Sequence, residues 1–267
     1  MRGELCCKKL ITCKNLSLGY DGNAVVRNLD FAVEHGDYLW IVGENGSGKT
    51  TLLKGLLRLL NPLNPVEGSI VFCDELRQGR IGYLPQQASL KKDFPAGVYE
   101  IVLSGNLGGI GLRPFYSVKE KALAAQAMEQ LGIAHLKKRC FRELSGGQQR
   151  RVLLARALCA AETDPVSSGF EHKAVENSCR LLVLDEPAAG LDPLITAEVY
   201  ELLKTLNSET GITIIMVSHD TRTAEQYATG ILHLEEGRGF FGKTDEYLAS
   251  DMGRKFFGRQ KEENDDR

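Results

Sequence analysis

Tyr38-Leu39-Trp40-Ile41-Val42 runs straight into Gly43-Glu44-Asn45-Gly46-Ser47-Gly48-Lys49-Thr50, and this stretch decides the fold. An unbroken apolar run is the mark of a strand buried on both faces, as in a parallel sheet. Glycines at 43, 46 and 48 let the backbone approach an anion closely, and the helix that follows points its positive end at the same place. The spacing predicts that helix from about Lys49 to Leu60, stopped by Asn61-Pro62.

The loop fits the phosphate-cradling pattern for a nucleoside triphosphate. Gly43, Asn45, Gly46, Ser47, Gly48 and Thr51 are the candidate binding residues around Lys49 and Thr50. Lys49 is expected to reach the terminal phosphates, and the Thr50 hydroxyl to ligate Mg²⁺. Far along the chain, Leu181-Leu182-Val183-Leu184 reads as a second buried strand ending in Asp185-Glu186. Both carboxylates then emerge at the carboxyl edge of a sheet, where open α/β folds bind ligands.

Between these segments stands Leu144-Ser145-Gly146-Gly147-Gln148, ahead of a helix predicted to begin near Gln149. It too offers backbone donors and a helix dipole to an anion. One chain is not expected to aim both loops at the same phosphate. The plainer alternative is an ordinary helix cap at Ser145.

Composition narrows the class. With 33 basic and 35 acidic residues among 267, the net charge of −2 argues against a nucleic-acid binder working through a strongly basic surface. No apolar run approaches the ~18 residues needed to span a bilayer. The N-terminus has no apolar signal-peptide core, so a cytoplasmic location is expected. The seven cysteines show neither CxxC pairs nor zinc-type Cys/His spacing, which reads as reduced thiols.

Leu10 to Tyr20 and Val25 to Glu34 alternate apolar and polar residues around Asp21-Gly22-Asn23, the pattern of an antiparallel hairpin. Strands are predicted again at Ser69 to Cys73 and Ile81 to Leu84. Helical spacing then takes over at Val98 to Leu107, Val118 to Leu131 and Gly146 to Cys159. Strands return at Leu181 to Asp185, Ile212 to Ser218 and Ile231 to Glu235, separated by helices at about Leu194 to Asn207 and Thr221 to Ala228. Alternating strands and helices imply a parallel sheet with helices on its faces. The polar tail Arg259 to Arg267 is expected to be disordered.

In this order, the segments resemble the ATP-binding subunit of ABC transporters, from about residue 10 to about residue 248. The resemblance implies an α/β P-loop NTPase core with a mainly parallel sheet, an antiparallel β subdomain and an inserted α-helical subdomain. It places the core at about 1–88 and 161–250, the helical subdomain at about 89–160 and a charged tail at 251–267. Asp185 matches the residue that holds Mg²⁺, directly or through water, and Glu186 the general base that polarises the attacking water. Ser145, Gly146, Gly147 and Gln148 match the signature segment that contacts the ATP of the opposite subunit. A dimer with a second copy, or with a similar ATPase subunit, follows from that match.

Other matches rest on position. Tyr20 corresponds to the aromatic that stacks on adenine, although a tyrosine at a strand end is usually packing. Gln86 corresponds to the glutamine that senses Mg²⁺ and links the subdomains, with Gln87 leaving a one-residue ambiguity. Asp192 falls in the loop that communicates across the dimer. His219 matches the histidine that contacts the terminal phosphate; a lone histidine is otherwise more often a core or surface residue.

Hydrolysis is the drive, and the load lies elsewhere. The resemblance implies separate polytopic permease subunits docked near Gln86, an extracytoplasmic solute-binding protein acting indirectly, and a peripheral position on the inner face of the cell membrane. Asp93-Phe94-Pro95 followed by Val98-Tyr99-Glu100-Ile101-Val102 looks like the ATPases of importers for divalent transition metals: zinc or manganese, with iron also open. The alternative is a soluble ABC ATPase tied to no membrane, such as an iron-sulfur assembly ATPase. One departure from the family is the insertion Ala160 to Arg180, which reads as an exposed loop that tunes a partner contact.

Overall fold

The computed structural model describes residues 9–77, 81–86, 95–110, 113–162, 180–218 and 221–265. Residues 163–179 of the insertion, Asp93 and Phe94, and His219 lie outside this description. The elements begin with β1 (Lys9–Tyr20), β2 (Asn23–Glu34), β3 (Tyr38–Val42), α1 (Lys49–Leu56), β4 (Ser69–Phe72), α2 (Asp74–Arg77) and β5 (Ile81–Leu84). The middle of the chain forms α3 (Val98–Leu103), α4 (Leu107–Ile110), α5 (Val118–Gln130) and α6 (Gly146–Glu162). The remainder gives β6 (Leu181–Asp185), α7 (Pro193–Thr210), β7 (Thr213–Val217), α8 (Thr221–Tyr227), β8 (Gly230–Glu235), β9 (Arg238–Lys243), α9 (Thr244–Ala249) and α10 (Asp251–Asp265).

Two units organise these elements, one of residues 73–213 and one of residues 9–72 with 214–265. In the second, β1 pairs antiparallel with both β2 and β4, while β7, β3 and β8 run parallel and β9 closes antiparallel on β8. The β1–β2 connection is Asp21-Gly22, with φ of 51° and 79°, flanked by the pair Tyr20–Asn23. Two residues at positive φ make the type I′ geometry whose twist matches a hairpin, which Asp-Gly favours. Every residue of β3 is buried, as its unbroken apolar run requires.

In the other unit β5 and β6 pair in parallel. α3, α5 and α6 bring Val98, Val102, Ala124, Val152, Leu154 and Ala155 into its core, each no more than 1% exposed. Ser117 caps α5 by accepting from the Glu120 backbone, while the Glu120 carboxylate accepts from the Ser117 backbone, so the Ser-x-x-Glu signature fixes where that helix begins. Arg180 Nη1 meets the Glu162 carboxylate at 2.7 Å, a pair joining the two described ends of the insertion.

Three expectations are corrected. The helix after the phosphate loop ends at Leu56 rather than near Leu60: Leu57 is its C-cap and Arg58 turns to φ 60°, which breaks the helical repeat. Of the two starts expected for the helix after Ser145, the structure takes Gly146 rather than Gln149, because the serine caps it directly. The backbone of 259–265 is helical rather than disordered, since it continues α10. The Ser250 hydroxyl accepts from the Gly253 backbone and Phe257 is buried, so the early turns of α10 are fixed and propagation carries the rest.

β9 and α9 were not foreseen. Their signal is Glu236-Gly237, with φ of 47° and 79°, a second two-residue turn of the kind found at Asp21-Gly22. Among the described residues no helix is long and apolar enough to cross a membrane.

Candidate functional site

The parallel register sets Val42 opposite His233, and the loop leaves the carboxyl end of β3 beside the end of β8. Gly43 has φ 146°, and a Cβ there would stand 2.3 Å from the Leu234 carbonyl oxygen. No side chain fits. Gly48 then adopts φ 104° as the N-cap of α1, and as a glycine it brings no side chain to cap that helix end. The uncapped terminus keeps its positive partial charge available to an anion.

Lys49 is 8% exposed, and its ammonium donates to the carbonyls of Gly43 at 2.7 Å and Glu44 at 2.8 Å. The loop therefore wraps its own lysine. The Ser47 hydroxyl is buried without a hydrogen-bond partner, which costs about 1–3 kcal/mol unless a ligand oxygen satisfies it. Asn45, Gly46 and Thr50 are exposed and Thr51 is buried. A cavity of about 510 Å³ is lined by Glu44 and Ser47 of the loop with His233, Glu235, Lys255 and Phe256 among others.

Tyr20 ends β1 and is 43% exposed. Lys54, one turn or so along α1 from the loop, donates to the Tyr20 hydroxyl at 3.0 Å, with its nitrogen 5.3 Å from the ring centroid. That hydrogen bond lowers the phenol pKa from its ordinary value. This exposed tyrosine, bonded to a cation, lies in the same unit as the phosphate loop.

In the other unit β6 is wholly buried and Asp185 is 5% exposed at its end. Glu186 follows at φ 50°, a left-handed pose that costs a non-glycine residue about 1–2 kcal/mol. Arg150 of α6 meets it: Nε donates to the Pro187 carbonyl and Nη2 to the Glu186 carbonyl. Burial lowers the Arg150 pKa, opposed by the carboxylates of Asp185 and Glu186. Tyr83 of β5 is raised by its own burial and by the Asp185 charge, so the two belong to one electrostatic neighbourhood.

Ser145 and Gln148 form a reciprocal cap at the start of α6, the hydroxyl accepting from the Gln148 backbone at 3.3 Å and the Gln148 side chain from the Ser145 backbone at 3.1 Å. Gly146 remains exposed while Gly147 is buried, where a Cβ would lie 2.7 Å from Ile195 Cγ2 of α7. α7 itself starts on Asp192, whose carboxylate accepts from Leu194 and Ile195 backbone N–H groups at 3.1 Å each. Gln86 is exposed just past the end of β5. The unit thus brings together Ser145 to Gln148, Glu186 and Asp192, through Arg150 and Gly147.

Residues 26–163 match the family profile described as ABC transporter. The chain belongs to the ABC transporter ATPase family. It is 34% identical over 245 residues to the manganese transport system ATP-binding protein MntB of Bacillus subtilis, covering 91% of this chain and 90% of that protein. It is 35% identical over 249 residues to the zinc transport system ATP-binding protein TroB of Treponema pallidum, covering 90% and 85%. Among solved structures it superposes on cbiO1 from Clostridium perfringens, part of the ABC transporter complex cbiONQ, with a TM-score of 0.73, 27% identity and coverage of 92% and 93%.

For this ABC ATPase, two residues of the site escaped the sequence. Arg150 stands in Gln148-Gln149-Arg150-Arg151, where two adjacent arginines look alike; Arg151 instead meets Glu198 at 2.5 Å as a partly exposed pair. Lys54 sits in an unremarkable helix, and nothing local ties it to Tyr20. Among the described residues no group of His, Cys, Asp and Glu gathers as a metal cluster.

Proposed function

We propose that this chain hydrolyses ATP to drive uptake of a divalent transition-metal ion, manganese or zinc, through separate polytopic permease subunits. The observation that carries the ATPase reading is the wrapped lysine: Lys49 held by the Gly43 and Glu44 carbonyls at the uncapped start of α1. The kinship to manganese and zinc transport ATPases supports the load. A second copy of the chain, or a similar subunit, completes each nucleotide site with its Ser145 to Gln148 segment. The pair works at the inner face of the membrane, fed indirectly by an extracytoplasmic solute-binding protein.

Tyr20 stacks on the adenine. Gly43, Asn45, Gly46, Ser47, Gly48, Lys49, Thr50 and Thr51 receive the phosphates, with loop N–H groups and the Ser47 hydroxyl donating to phosphate oxygens. Glu186 accepts a proton from the attacking water as its oxygen bonds to the γ-phosphorus and the bond to the bridging oxygen breaks. ADP and phosphate leave. His219 contacts the terminal phosphate and Asp192 carries information across the dimer.

The Thr50 hydroxyl, the Gln86 amide oxygen and the Asp185 carboxylate are hard oxygen donors of the kind Mg²⁺ takes, and these residues would hold it. Bound Mg²⁺ supplies neutralisation of charge on the phosphate oxygens.

Uptake of labelled manganese and zinc in a deletion strain tests the whole reading. Complementation by the wild-type gene should restore uptake of one of these ions, and Glu186→Gln should not. Unaltered uptake of both ions in the deletion strain, with the chain co-purifying with soluble scaffold proteins, would support the membrane-free alternative instead.

A further inference from the structure

Arg150 lies one turn into α6, just past the Ser145 to Gln148 segment, and is 8% exposed. Its two donors end on consecutive carbonyls, those of Glu186 and Pro187. A guanidinium is a planar, permanently charged fork, so two carbonyls bound by it are fixed relative to one another. Glu186 is also the residue at φ 50°, a pose an L side chain keeps only where its surroundings impose it. Holding the carbonyl of such a residue fixes its backbone, and with it the direction in which its side chain leaves.

The same end of α6 is tied down on either side. Gly147 abuts Ile195, where a Cβ would come within 2.7 Å, and Arg151 pairs with Glu198 at 2.5 Å. The first turns of α6 and the segment from Glu186 to the start of α7 therefore form one stapled piece. Arg150 is the member of it that grips the glutamate turn.

We infer that Arg150 is a positioning residue for ATP hydrolysis: from the helix that begins at the serine-glycine segment, it sets the turn that aims the Glu186 carboxylate. The inference rests on the ATPase reading above, with Glu186 as the base. It gives the serine-glycine segment a second task. When that segment engages a nucleotide, any shift of α6 reaches Glu186 of the same chain through one guanidinium.

The test is a kinetic comparison of purified wild type, Arg150→Met and Arg150→Lys, repeated in a Glu186→Gln background. Methionine keeps the apolar stem and removes the fork, so kcat should fall about 10- to 100-fold while the affinity for a fluorescent ATP analogue stays within about twofold. Lysine retains charge and donors and should recover part of the loss, and it carries the comparison should the methionine variant fail to fold. In the Glu186→Gln background, losing Arg150 should lower the residual rate by less than about twofold, because a residue acting through Glu186 has nothing left to position. Wild-type kcat in both variants, or an equal loss in both backgrounds, overturns the positioning role alone. Absence of hydrolysis by the wild type would instead overturn the parent reading and this role with it.

Discussion

Lys49 donates to the carbonyl oxygen of Gly43 at 2.7 Å, closing the phosphate loop around its own lysine. The ammonium is thereby pre-placed in a loop whose glycine tolerates no Cβ, and little side-chain freedom is left to lose when phosphate oxygens arrive. Lys49→Ala should remove nucleotide binding, measured by titration with a fluorescent ATP analogue, while the melting temperature changes little. Binding retained within tenfold would remove Lys49 from that role.

Glu186→Gln preserves shape and the left-handed backbone while removing the proposed proton acceptor. ATP binding should persist and kcat should drop by ~10²–10⁴. Light scattering should then detect a dimer trapped by Mg²⁺ and ATP. A monomer under those conditions would count against the shared-site arrangement.

Tyr20, whose hydroxyl accepts from Lys54, is the residue proposed to stack on the adenine. Tyr20→Ala should weaken ATP by about 1–3 kcal/mol, the scale of base–aromatic stacking, with kcat at saturation nearly unchanged. Tyr20→Phe keeps the ring and should bind close to wild type. If the alanine variant binds equally well, the tyrosine is packing alone.

His233 is 3% exposed beside Phe256, with Tyr247 Oη 2.7 Å from its Nδ1. Burial lowers its pKa below 6.5; the Glu235 and Glu44 carboxylates oppose that shift and Lys49 adds to it. A depressed folded pKa means the unfolded chain binds the proton first, so stability from the neutral ring is full above 6.5 and is lost as pH falls through the lower folded value. Melting temperature should therefore decline on acidification below about pH 6.5, and His233→Gln should flatten that part of the curve. Parallel curves for the two proteins would show that another group titrates.

Asp192 accepts from two backbone donors at the start of α7. Asp192→Ala should cost about 1 kcal/mol in urea unfolding, as lost caps do, and Asp192→Asn should cost less. Because a cap and a dimer contact can coexist in one carboxylate, the asparagine variant separates them. Normal stability with impaired ATP-dependent dimerisation would assign Asp192 to the interface.

Much of this was legible in local pattern. The strand–glycine–lysine run located β3, the loop and α1, and the four apolar residues before Asp185-Glu186 located β6 with matching bounds. Asp21-Gly22 announced its hairpin, whereas Glu236-Gly237 passed unnoticed because glutamate is a less usual partner for glycine in such a turn. The tail misled for a different reason: its composition is polar, but its backbone continues α10, in which Phe257 is buried upstream.

What the sequence determined by itself is the chemistry that fits within a turn or two: backbone donors gathered at a helix start, a lysine beside them, carboxylates at a strand end. Such groups are neighbours along the chain, so spacing alone places them. What the tertiary structure decided is where the long side chains end. Arg150 reaches carbonyls 36 and 37 positions away, and Lys54 a phenol 34 positions away. Those partners meet because packing of helices and strands closes the intervening loops, and a flexible cation takes whichever acceptor that packing sets before it.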